Sequence, residues 1–156
     1  NDGALGISYF INGAPHIATL GSFTSPAAIE AEVLLHDNKS AKIMRSDRTY
    51  LFEIISPITK VVVDYGNTRE LRLIEVIDTN TGRIVKDLAH LHFSRIPSQK
   101  RSSWKELLHK NEDNKEGLVI RFQDGTRLKI KYPWYKQEYL KRIQLSGPSN
   151  IDSYHK

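Results

Sequence analysis

Two lysines separated by one residue, Lys129-Ile130-Lys131, are the first feature of the sequence with chemical potential. In an extended strand the side chains alternate between faces, so both ammonium groups point the same way and repel each other. A bound phosphate between them would offset that repulsion; edge-strand lysines that discourage aggregation are the plainer account. Glu116 shortly precedes the strand that pairs with this one, so a hairpin brings its carboxylate to the same region, although the spacing alone leaves its face open. A solvent-exposed glutamate at a strand entry is the alternative there.

Glu53 lies inside Leu51-Phe52-Glu53-Ile54-Ile55, with apolar neighbours on both sides. A buried carboxylate is costly unless a charge or a strong donor meets it, so this position demands a partner. An internal ion pair with a core Arg would satisfy it, and so would a donor such as a ribose hydroxyl. His90 and His92 share a face if their segment is extended, but no third convergent ligand accompanies them, and they are read as ordinary polar residues. The sequence contains neither a G-x-x-x-x-G-K-[ST] loop nor a G-x-S-x-G elbow, which argues against a P-loop enzyme and an α/β-hydrolase.

The elements that position these groups follow from local chemistry. Asn12-Gly13 accepts positive φ and joins two short strands, 9–11 and 16–19. Ser25 as a cap and Pro26 in the first turn open a helix over 27–36. Segments 50–55, 60–64 and 71–77 are rich in β-branched and apolar residues and read as strands, with Asn80-Thr81-Gly82 turning the last back into 83–85. A short amphipathic helix is expected over 103–110. Asp124-Gly125 closes a hairpin of 118–122 and 126–131, a final helix is expected over 134–143, and the tail beyond Gly147-Pro148 is expected to fray. The sum is an antiparallel-rich α+β domain.

The 156 residues suit one domain with a substantial core. No initiator Met stands at the start, as expected of a fragment or a processed form. The chain has no Cys, which excludes a disulfide framework and a Cys-based zinc site and leaves the cytoplasm as the default compartment. No apolar run approaches the roughly 18 residues that span a bilayer. The net charge is +5, unevenly spread: residues 1–94 hold nine Lys/Arg against eleven Asp/Glu, and residues 95–142 hold thirteen against six. A local surplus of this kind favours a polyanion such as nucleic acid, unless it is simply a solvated basic face.

Taken in order, five short motifs resemble those of the covalent nucleotidyltransferase superfamily of polynucleotide ligases and capping enzymes, and within it the bacteriophage RNA ligase 1 type of ATP-dependent RNA ligase. Asn1-Asp2-Gly3-Ala4-Leu5-Gly6 resembles the remainder of the K-x-D-G nucleophile motif, and Gly21-Ser22-Phe23-Thr24-Ser25 the loop that follows it. Phe52-Glu53-Ile54-Ile55-Ser56-Pro57 with Lys60-Val61-Val62-Val63-Asp64-Tyr65 resembles the third motif and its extension. Glu116-Gly117-Leu118-Val119 and Lys129-Ile130-Lys131, followed by Trp134-Tyr135, resemble the fourth and fifth. The resemblance runs from Asn1 to about Ile143.

The resemblance implies an antiparallel-sheet nucleotidyltransferase core with short flanking helices, in a fragment that begins just after the nucleophilic lysine. It implies a lysyl-AMP intermediate formed from ATP, transfer of AMP to an RNA 5′-phosphate, and sealing to a 3′-hydroxyl in RNA or tRNA repair. By the same resemblance Lys129 and Lys131 would hold the α-phosphate, Glu53 would bind the AMP ribose with Gly3 nearby, and Asp2 and Glu116 would help hold a hydrated Mg²⁺ or Mn²⁺. Leu20 departs from the pattern, standing where relatives often carry a basic residue before Gly21-Ser22. Two alternatives stay open: a non-catalytic RNA-binding domain of the same fold, and a DNA ligase or capping-type nucleotidyltransferase.

Overall fold

The computed structural model describes residues 2–99 and 105–145, which fall into two compact units. The first comprises residues 1–60 and 65–99; the second comprises 61–64 and 100–156. Asn1, the first two residues of the helix expected over 103–110, and the tail beyond Gly147-Pro148 lie outside the described residues.

In the first unit, strands β1 (Ala4–Ile11) and β2 (Ala14–Thr19) form a hairpin, with Asn12 and Gly13 at φ 50° and 80° in the turn. Those dihedrals twist the turn to match the strands, which is why Asn-Gly works there. Helix α1 (Pro26–His36) begins as its sequence predicts: the Ser25 hydroxyl accepts from the Ala28 amide and Pro26 occupies the first turn. Strands β3 (Arg48–Ile55) and β4 (Glu70–Asp78) complete the antiparallel part of a sheet ordered β2-β1-β3-β4-β5. The last member, β5 (Ser94–Arg95), runs parallel to β4 and has no signal in the sequence.

Alternation decides what each strand buries. Tyr50, Phe52 and Ile54 of β3 face inward and are fully buried, together with Ile17, Leu71, Leu73 and Val76 of neighbouring strands. Helix α1 lays Ala28, Ala31 and Leu35 against this core. An irregularity in register at Leu51/Phe52 shifts the pairing of β3 with β4 by one residue, so that Leu73 and Val76 both reach the interior. Phe52 also meets Phe93 edge to face, with ring centroids 4.8 Å apart.

The second unit holds the hairpin of β6 (Gly117–Arg121) and β7 (Arg127–Lys131), then helix α2 (Pro133–Leu145), and a short 3-10 helix at Lys105–His109 where the sequence predicts the helical piece. The strand expected over 60–64 does not form. Val62 and Val63 are almost fully buried while Val61 is exposed, and the backbone is satisfied by side chains rather than by a ladder. Arg142 of α2 donates to the Val61 and Val62 carbonyls, and Asn114 both accepts from the Asp64 amide at 2.7 Å and donates to the Asp64 carbonyl at 2.8 Å. β-Propensity thus marked the two buried valines but not the pairing. Likewise 83–85 forms an isolated bridge, Ile77 to Ile84, rather than a strand.

Replacing Phe52 by Ala removes a fully buried ring from the centre of the first unit. A loss of about 3–5 kcal/mol is expected in chemical denaturation; a loss below about 1 kcal/mol would show that the cluster around Phe93 is not the core it looks to be.

Candidate functional site

The residues singled out in the sequence form two clusters, one in each unit. In the first unit, strand alternation turns Glu53 away from the core that Phe52 and Ile54 enter, so it is half-buried rather than internal. That departs from the expectation of a carboxylate enclosed by apolar neighbours. Its Oε1 accepts from the Gly3 amide at 2.7 Å, and Arg72 lies opposite it across the β3–β4 pair. Gly3 has no room for a side chain: an added Cβ would lie 2.3 Å from the Ile54 carbonyl oxygen and 3.2 Å from the Glu53 carboxylate. Asp2 is buried, and its amide donates to the Tyr65 hydroxyl at 2.9 Å.

Tyr65, quoted in the extension of the third motif but given no role there, and Arg72, which no motif marked, complete this cluster. The Arg72 guanidinium stands 5.4 Å from the centre of the Tyr65 ring and also binds Glu70 at 2.6 Å. Burial pushes the Tyr65 phenol above its ordinary range, against the opposing effect of the Asp2 amide. The signal in the sequence was faint: Arg72 is the one cation among the alternating apolar residues of Leu71-Arg72-Leu73.

In the second unit the lysine pair and the glutamate meet. The β6–β7 register sets Gly117 opposite Lys131 and Val119 opposite Lys129, so the two lysines share a face. Glu116, immediately before β6, is held by its carbonyl, which accepts from the Tyr132 amide at 2.9 Å. Its carboxylate is only 9% exposed, and Oε1 stands 2.7 Å from Lys129 Nζ and 3.4 Å from Lys131 Nζ. The plain alternative of a solvated strand-entry glutamate does not hold. Gly117 makes the arrangement possible, because at φ 153° any Cβ would sit 1.9 Å from the Ile130 carbonyl oxygen. Two ammonium groups against one carboxylate leave a net positive charge, the electrostatic condition for binding an anion.

Nearby pairings steady the approach to this cluster. Lys110 and Lys115 both bind Glu112 and hold its carboxyl down to about 2. A depressed carboxylate stabilises above the unfolded value near 4.5, so this contribution is complete there and is lost as pH falls towards 2. On the other side, Lys131 Nζ lies 4.8 Å from the Tyr135 ring centre and 5.9 Å from that of Tyr139. Tyr135 and Tyr139 follow Lys131 at successive spacings of four, and Tyr135 also stands in the Trp134-Tyr135 pair that follows the fifth motif.

His90 sits in a turn, so the extended geometry in which it would share a face with His92 does not occur. Among the described residues no group of three or more His, Asp or Glu side chains is arranged to hold a metal ion. Asp2 and Glu116 are the right donor type for Mg²⁺ or Mn²⁺, but Glu116 Oε1 already faces two ammonium groups that oppose a second cation. Neither carboxylate stands in a complete inner ligand shell among the described residues. Among the described residues no helix is long and apolar enough to cross a membrane.

No family model matches the chain, and no curated protein does. Solved structures do. Naegleria gruberi RNA ligase with PPi is similar at a TM-score of 0.65 and 14% identity over 90% of this chain. A lysine-to-alanine variant of the same ligase with ATP and Mn gives the same values. The chain spans 50% of the length of those structures. At this identity the likeness is one of fold, an α+β architecture with a mainly antiparallel sheet.

Gly117→Ala should cost about 2–4 kcal/mol in chemical denaturation, since both the dihedral and the Ile130 carbonyl exclude a methyl group. Wild-type stability in that variant would mean that the strand enters the hairpin differently and that Glu116 is not locked between the lysines.

Proposed function

We propose that this chain is the nucleotidyltransferase part of an ATP-dependent RNA ligase, of the kind that the motif order likens to the bacteriophage RNA ligase 1 type. The observation that carries the reading is the convergence of Lys129 and Lys131 on Glu116 in a chain with an RNA ligase's fold. Its support is physical: a net cation at a buried, glycine-dependent hairpin entry is a poor device for stability and a good one for phosphate.

In this reading a lysine in the position before Asn1 attacks the α-phosphorus of ATP. The amine loses a proton, the N–P bond forms, and the bond to pyrophosphate breaks. The adenylyl group then passes to an RNA 5′-phosphate, and a 3′-hydroxyl displaces AMP to join the strands. Lys129 and Lys131 stabilise charge on the non-bridging oxygens of the α-phosphate as it develops. Their positive field also lowers the pKa of a nearby amine, which is nucleophilic only when deprotonated.

Glu53, supported by the Gly3 amide, accepts a hydrogen bond from the ribose. A hydrated Mg²⁺ or Mn²⁺, when bound, neutralises phosphate charge; Asp2 in the first unit or Glu116 in the second would accept hydrogen bonds from its waters. The basic surplus of residues 95–142 supplies attraction for the RNA backbone.

The test is to incubate the intact protein with ATP labelled at the α-phosphate and to look for acid-labile, base-stable label on the protein. Label is expected in the wild type and should fall below detection in Lys129→Ala and Lys131→Ala, whose exposed side chains contribute little to folding. Normal labelling in either variant overturns the phosphate role. An unlabelled but folded wild type that still binds RNA would instead identify a non-catalytic RNA-binding domain, and preference for a DNA end or for GTP would identify the other members of the superfamily.

A further inference from the structure

The two lysines of the second unit are held by different means. Lys129 Nζ is 2.7 Å from Glu116 Oε1, a full charge-assisted contact, whereas Lys131 Nζ at 3.4 Å is beyond the usual hydrogen-bond range. What holds Lys131 instead is a pair of rings. Tyr135 and Tyr139 lie four residues apart on α2 and therefore on one helix face. Their planes are within 9° of parallel with centroids 6.3 Å apart, and the ammonium is 4.8 Å and 5.9 Å from those centroids.

The difference has a chemical consequence. A carboxylate satisfies an ammonium by occupying its N–H donors, so an incoming phosphate must compete with it. A ring face attracts the charge through its quadrupole and offers no lone pair of comparable strength, leaving the donors available. Beside the ammonium is a hollow of about 250 Å³ lined by Lys131, Tyr135, Lys136, Tyr139 and Leu140. Its exposed surface is mostly apolar, so the ammonium at its edge is the group that would meet a phosphate oxygen.

We propose that Tyr135 and Tyr139 form a cation–π cradle that positions the Lys131 ammonium for a phosphate oxygen of the bound nucleotide. This rests on the reading that Lys131 meets the ATP phosphates. Tyr139 is the residue to change, because Tyr135 is buried and its loss would disturb folding, whereas Tyr139 is 43% exposed. It is a positioning residue that acts through Lys131.

Calorimetric titration of ATP into the intact protein tests the proposal. Tyr139→Phe keeps the ring and should bind within about twofold of wild type, whereas Tyr139→Leu should bind about two- to fivefold more weakly. Added to Lys131→Ala, Tyr139→Leu should have no further effect; added to Lys129→Ala it should keep its full effect. Wild-type affinity in Tyr139→Leu, equal losses in the Phe and Leu variants, or a loss that adds to that of Lys131→Ala would each overturn the cradle. A second measurement is independent of ATP: the Lys131 ε-methylene protons should be shifted upfield by the rings in wild type and Tyr139→Phe, and move downfield in Tyr139→Leu. If the wild type fails to bind ATP, the ligase reading falls; if those protons do not move, the cradle falls.

Discussion

Two like charges on one face of a strand need a counterion, and in this chain the counterion is Glu116. The distances of 2.7 Å and 3.4 Å from one carboxylate oxygen to Lys129 and Lys131 define a small, net-positive cluster. Much of the second unit serves that contact. The hairpin register puts the lysines on one side, the Tyr132 amide holds the Glu116 carbonyl, and Gly117 lets the chain pass the Ile130 carbonyl where no other residue would fit. The pairing of Glu112 with Lys110 and Lys115 and the grip of Asn114 on Asp64 order the segment that leads into it. An ion cluster in which one buried carboxylate meets two half-exposed ammonium groups adds little to stability, because solvent screens the lysines and burial of the carboxylate offsets part of the attraction.

The first unit obeys a different constraint, which is backbone access. Gly3 and Asp2 expose amides that Glu53 and Tyr65 take up, and the absence of a side chain at Gly3 lets β1 approach β3 closely enough for the 2.7 Å contact. Behind it the alternating β3 residues Tyr50, Phe52 and Ile54 pack with Phe93 and the face of α1 to make the support rigid. Glu53 is thus mounted on a packed sheet, and Tyr65, in the segment before β4, is tied to it through the Asp2 amide and the Arg72 guanidinium. The likeness to RNA ligase structures at 14% identity fits this division: a core of this kind keeps its shape through many apolar exchanges.

Local chemistry made most elements legible. Asn12-Gly13, Ser25-Pro26 and Asp124-Gly125 carry their backbone preferences within one or two residues, and the structure places a turn, a capped helix and a hairpin there. The misreading at 60–64 has a clear cause. Lys60 to Asp64 has the composition of a strand, but Arg142 and Asn114, distant in sequence, satisfy its backbone first. The two-residue β5 was invisible because its pairing with β4 depends on where the preceding loop brings it, and not on its own side chains.

For the site, the same boundary applies. The spacing of Lys129 and Lys131 by itself determined that their charges share a face, because a strand's period is two. The glycine after Glu116 and the apolar alternation around Glu53 were equally plain as patterns. Only the tertiary structure decided which charge meets which: that Glu116 is buried against both lysines, that Glu53 turns outward to the Gly3 amide, and that Lys131 rests on Tyr135 and Tyr139. Period and propensity act along the chain and can be read there. Pairing between side chains depends on strand register and on how remote segments pack, and neither is written in the residues that take part.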